Sequence, residues 1–94
     1  MADVSMNDSV TVPEGVLSRE LEGETVLLNL ETGVYFGLDP VATVMFTELR
    51  DRGSIRAALD ALVETFDASP ADIERDLLAF ADSLIAKGLI QKSA

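Results

Sequence analysis

An α+β fold, in which a three-stranded antiparallel meander runs into three helices, is what the patterning of this chain predicts. Two observations carry the expectation. Apolar residues alternate with period 2 up to Leu38 and recur at helical spacing after Pro40, and turn or cap residues stand at the junctions.

Met1 to Thr11 is polar, with Ser5, Asn7, Asp8 and Ser9 and no periodicity, and reads as a flexible arm over residues 1–11. The ordered domain is expected over residues 12–91, with Pro13-Glu14-Gly15 marking its start. Val16 to Leu21 is the first strand, and Glu22-Gly23 offers a two-residue hairpin turn, glycine tolerating a positive φ. In the second strand Val26, Leu28 and Leu30 fall on one side and Leu27 and Asn29 on the other. Thr32-Gly33 turns the chain into a third strand, Val34 to Leu38, whose β-branched and aromatic residues suit a pleated surface.

Asp39-Pro40 then opens a helix, Asp as N-cap and Pro at the first helical position. Val41, Val44, Met45 and Leu49 give it an apolar face, widened by Phe46, and Gly53 ends it. Ser54 caps a second helix, where Ile55, Ala58, Leu59, Leu62, Val63 and Phe66 follow the spacing of one buried face. Ser69-Pro70-Ala71-Asp72 resembles a capping box and opens a third helix that ends at Lys87-Gly88, with Leu89 and Ile90 packing back. That helix carries two apolar stripes: Ile73, Leu77, Phe80 and Leu84 on one arc, Ala71, Leu78 and Ile85 on another. The second stripe packs on the same core, joins a dimer, or walls a groove for an apolar ligand, with Arg75 and Asp82 at its margin.

Composition narrows the function. Ninety-four residues suffice for one domain and leave no room for a cofactor domain. Histidine and cysteine are both absent, which removes the usual neutral-pH base, the best nucleophile, thiolate metal sites and disulfides. Asp72, Glu74 and Asp76 have the spacing of a solvated helix face, not of a metal loop or an acid/base pair, and no glycine-rich phosphate loop exists. A non-enzymatic role without cofactor or metal is expected. A formal charge of −10 repels phosphate backbones and anionic lipid, so neither nucleic acid nor membrane is an expected partner. The N-terminus lacks a basic cluster and an apolar h-region, and the chain is read as cytoplasmic.

One strand stands out as unguarded. Val34 to Leu38 contains no Lys, Arg, Glu or Pro, the devices that blunt a sheet edge, so it reads either as the ordinary last strand of a small sheet or as an edge open to another chain.

Leu27-Leu28-Asn29-Leu30-Glu31-Thr32-Gly33-Val34-Tyr35-Phe36-Gly37-Leu38-Asp39, the helix from Ser54 to Phe66, and Asp76-Leu77-Leu78-Ala79-Phe80 with Lys87-Gly88-Leu89-Ile90 together resemble the PqqD-like proteins, or RiPP recognition elements. These serve the biosynthesis of ribosomally made, post-translationally modified peptides, and the resemblance runs from about Val12 to Gln91. It implies a winged helix-turn-helix-like arrangement and a non-catalytic chaperone. Such a chaperone binds the leader of a precursor peptide and presents it to a modifying enzyme such as a radical-SAM maturase or a leader peptidase. In the family the leader adds as a strand to the third strand and lies against the third helix. Carried over, Val34, Tyr35, Phe36, Gly37 and Leu38 are the pairing edge, and Arg75, Leu78, Asp82 and Ile85 the helix wall. The Leu30-Glu31-Thr32-Gly33 turn looks more like the stand-alone members of lasso-peptide and related clusters than like PqqD of pyrroloquinoline quinone synthesis. Few basic residues line this groove, so an acidic leader would find only Arg75 and Arg19.

Two other readings fit the same elements. A small winged-helix DNA-binding regulator is opposed by the third helix, where Asp72, Glu74, Asp76 and Asp82 outnumber Arg75 and Lys87. A dimerisation module would consume the open edge and the spare stripe in a homodimer.

Overall fold

The computed structural model describes residues 4–93. Three strands, β2 (Val16–Leu21), β3 (Glu24–Asn29) and β4 (Tyr35–Leu38), form an antiparallel sheet in the order β2-β3-β4, and three helices follow: α1 (Pro40–Arg52), α2 (Ile55–Thr65) and α3 (Pro70–Ala86). The α+β order is the one the sequence predicts. The β2–β3 turn places Glu22 at φ 54° and Gly23 at φ 83°, both left-handed, which is the backbone that joins two twisted strands through two residues.

Caps set the helix boundaries. The Asp39 carboxylate accepts from the Ala42 N–H at 2.8 Å, and the Ser54 hydroxyl from the Ala57 N–H at 3.2 Å. Ser69 occupies the N-cap of α3, but its side chain makes no cap bond, contrary to the capping-box expectation. Asp72 is one methylene shorter than the glutamate such a box needs, and its carboxylate lies 3.3 Å from the Arg75 guanidinium. The core gathers Leu27 and Leu38 from the sheet, Phe46 and Leu49 from α1, Ile55 and Leu62 from α2, and Leu77 and Leu84 from α3. Leu89 and Ile90 are buried beyond the last helix, as expected.

The N-terminal segment departs from the sequence reading. Ser9–Thr11 forms a strand, β1, paired antiparallel with β5 (Gln91–Ser93), and Val4 and Val10 are buried within the stretch expected as an arm. Residues 1–3 of the expected arm lie outside the described residues. The segment is fastened at several points: the Val10 N–H donates to the Gly53 carbonyl at 2.9 Å, the Ile55 N–H to the Asp8 carbonyl at 3.1 Å, and the Val4 N–H to the Asp82 carboxylate at 2.8 Å. Val10 is buried against the core. Three-residue strands flanked by polar side chains give no periodic signal, and both partners lie at opposite ends of the chain.

Asp8 closes this ribbon. Its carboxylate accepts the Ser5 N–H at 2.8 Å and sits 3.3 Å from the Lys92 ammonium, and the backbone bond with the cation's help holds its pKa below the ordinary carboxylate value. A lowered folded pKa stabilises above the unfolded value, and that contribution is lost as pH falls through the folded one. Asp8→Asn should therefore flatten part of the acid limb of a stability-versus-pH curve. Thermal melts of both proteins between about pH 2 and 6 will converge at the acid end if it does.

Candidate functional site

β4 is an edge strand, and its free side is defined by the register. Asn29 pairs with Val34 through an Asn29 N–H to Val34 carbonyl bond of 2.8 Å, and the ladder continues Leu28↔Tyr35, Leu27↔Phe36, Val26↔Gly37, Thr25↔Leu38. Hydrogen-bonded pairs alternate along an antiparallel ladder, so Phe36 and Leu38 spend their backbone groups on β3. Tyr35 and Gly37 point theirs away from the sheet. Two N–H and two carbonyl groups are thus presented in the spacing a fourth strand would use. The opposite edge, β2, is guarded by the charged Arg19 and Glu20. Gly37 carries no side chain and is exposed, and a Cβ there would meet nothing within 4 Å.

The helix beside this edge is α3. The Lys87 ammonium, at the α3 C-cap, lies 5.3 Å from the centroid of the Phe36 ring, which fixes the face of the helix turned toward β4. At about 100° per residue, Ser83, Phe80 and Asp76 share that face. At the far end of α3 a hollow of about 270 Å³ opens, lined by Val41 and Met45 of α1, Phe66 and Ala68 of the α2–α3 connection, Ile73, and the carboxylates Asp67 and Asp76. The candidate site thus comprises the open backbone edge of β4, the Lys87 cation over Phe36, and an apolar hollow between α1 and α3 rimmed by acids.

The sequence-predicted site residues are only partly brought together. Tyr35, Phe36, Gly37 and Leu38 form β4, whereas Val34 precedes it with its carbonyl committed to Asn29, and Leu38 is a core residue. Arg75, Leu78, Asp82 and Ile85 precede Lys87 by 12, 9, 5 and 2 positions, which turns them roughly 120° to 200° away from the face over β4. Asp82 instead binds the Val4 N–H, Leu78 and Ile85 pack against the core, and Arg75 lies exposed between Asp72 and Asp76, 3.3 and 3.6 Å away. Arg19 is on β2, across the sheet from the groove. Leu78 and Ile85 are thus partly buried by the chain itself, while Ala71 of the same stripe is exposed. Phe80, Lys87, Val41, Met45 and Phe66 were missed as site residues because their spacing equally suits core or cap, and no local signal tells which side of α3 faces β4.

Among the described residues, no group of three or more His, Cys, Asp or Glu side chains is placed to hold a metal ion, and no helix is long and apolar enough to cross a membrane.

Comparison with known proteins bears on this geometry directly. Among solved structures, the chain is similar to TbiB1 in complex with the TbiA(beta) leader peptide, at 32% identity and a TM-score of 0.83, covering 89% of this chain and 98% of that one. It also has the fold of a lasso peptide synthetase B1 complexed with the leader peptide, at 23% identity and a TM-score of 0.77, covering 87% and 96%. No match is found among curated proteins. The family model for coenzyme PQQ synthesis protein D matches residues 24–90, which span the sheet from β3 onward and all three helices, and the chain belongs to the PqqD family.

Proposed function

We propose that this protein is a leader-peptide recognition element: it binds the leader of a ribosomally made precursor peptide as a fourth strand on β4 and presents the peptide to a modifying enzyme. The observation that carries the reading is the unguarded β4 edge, where the register leaves the Tyr35 and Gly37 backbone groups facing outward. Two solved structures of this fold are complexes with leader peptides, and one of them is 32% identical to this chain. The peptide's backbone would pair with Tyr35 and Gly37, and alternate side chains would point toward α3. An apolar side chain suits the hollow between Val41, Met45 and Ile73, and the Asp67 and Asp76 carboxylates favour a basic residue beside it. The protein's part is binding and presentation, and the chemistry belongs to the enzyme.

Fluorescence anisotropy with the labelled leader half of a candidate precursor peptide tests the reading, with the C-terminal half as control. Saturable binding of the leader half alone is expected. Equal binding of both halves, or of neither, would remove the reading. The hollow has its own prediction. Val41 is exposed at its mouth, so Val41→Asp should leave the melting temperature nearly unchanged and weaken leader binding about tenfold by placing a charge where an apolar side chain docks.

A further inference from the structure

The face of the sheet opposite the helices is largely apolar, and its large side chains stay exposed among the described residues. Register assigns its rows: Leu17, Leu28 and Tyr35 lie side by side across β2, β3 and β4, and Arg19, Val26 and Gly37 form the next row. Tyr35 is 73% exposed, Leu21 67%, Leu17 53% and Val26 47%, while Leu28 is half-buried between its neighbours. An antiparallel sheet with one solvated face ordinarily alternates apolar inside with polar outside, whereas here Leu17, Leu21, Val26, Leu28 and Tyr35 lie on the solvated face, with Arg19 and Glu24 among them. A contiguous exposed patch of this kind marks an interaction surface more often than an idle one.

Charge indicates the occupant. The end of the sheet beside this patch carries Glu20, Glu22 and Glu24, all exposed, with Arg19 as the only cation on the three strands. A second copy would bring the same acidic edge and a formal charge of −10 against another −10. A partner with an apolar centre and a basic rim meets no such repulsion. Position agrees with this. A peptide strand added at β4 would extend the same sheet, and every second side chain of it would emerge beside Tyr35 and Gly37 on this outer face. Whatever sits on the face would touch the bound peptide too.

We infer that the outer face of β2–β3–β4 is the docking surface for the peptide-modifying enzyme, which meets it with an apolar patch flanked by Lys and Arg. The inference rests on the leader-binding reading, and it adds the surface and the chemistry of the second partner.

The test uses the maturation enzyme encoded beside this gene as titrant, with the full chain and the triple variant Leu17→Thr, Leu21→Thr, Val26→Thr. Threonine keeps strand propensity while removing apolar surface from exposed positions, so circular dichroism and melting should match the parent. Enzyme binding is expected to weaken at least tenfold in the variant, and leader binding to change less than twofold. Binding of the parent should weaken as salt rises, and Glu22→Gln with Glu24→Gln should flatten that dependence. Unchanged enzyme affinity in the triple variant, no enzyme binding by the parent, or a parent dimer that strengthens with salt and is lost in the variant would each overturn the inference. The leader titration in the same series separates this from failure of the leader reading, because that failure shows as loss of peptide binding by the parent itself.

Discussion

Gly37→Pro is expected to abolish most leader binding while leaving the fold intact. The proline removes an N–H that faces away from β3, so no bond of the β3–β4 ladder is lost, and edge positions of this kind accept proline. The same change removes one of the two donors offered to an added strand and sets a ring where the incoming backbone must pass. One lost backbone bond is worth roughly 1 kcal/mol and the steric obstruction adds to it, so an affinity loss of about 30-fold or more is expected. Gly37→Ala is the control. Its Cβ enters open space and its N–H remains, so it should bind within a few-fold of the parent. Equal binding by the proline and alanine variants would mean that β4 is not the pairing edge, whatever else holds the peptide.

Asn29→Ala should produce the largest loss of stability among substitutions at polar residues. Asn29 is buried at the end of β3, where its amide donates to the Gly88 carbonyl at 3.0 Å and its side-chain oxygen accepts from the Glu31 and Thr32 N–H groups at 2.9 and 3.3 Å. One side chain therefore shapes the β3–β4 turn and ties it to the C-terminal end of α3. The neighbouring backbone is adapted to it: Gly88 has φ +72°, and a Cβ there would come within 2.9 Å of the Asn29 amide nitrogen. Truncation leaves the Gly88 carbonyl and two turn N–H groups without this partner, and a loss of about 2–3 kcal/mol follows. For a chain of this size that is roughly 10 °C or more in Tm, measurable by calorimetry. Because the turn sets the start of β4, leader binding should fall as well. A melting temperature within about 2 °C of the parent would show that Asn29 does not hold the sheet to α3.

The parts of this molecule that were legible in the sequence are those whose signal is local. The change of period at Pro40, the caps at Asp39 and Ser54 and the glycine stop at Gly53 each depend on a few neighbouring residues, and the structure follows them. Val16 to Leu38 was equally readable, down to which side chains share a face. What local signals did not carry was placement. Ser9–Thr11 pairs with Gln91–Ser93 across almost the whole chain, and neither segment is long enough to show alternation. The same limit holds for the helix wall. Two apolar stripes on α3 identify two contacts but not which neighbour takes which, so the reading of the residues left core, dimer and ligand open for the stripe with Leu78 and Ile85, which packs partly against the chain's own core. Lys87, read as the end of the third helix, reaches over the Phe36 ring of β4.

Strand addition at β4 is the central claim, and an NMR titration of labelled protein with the leader peptide tests it most directly. The Tyr35 and Gly37 amides should shift and become protected from exchange at saturation, while those of Phe36 and Leu38, already bonded to β3, gain little protection. Binding that leaves the Tyr35 and Gly37 amides exchanging as in the free protein would contradict the account and place the peptide elsewhere.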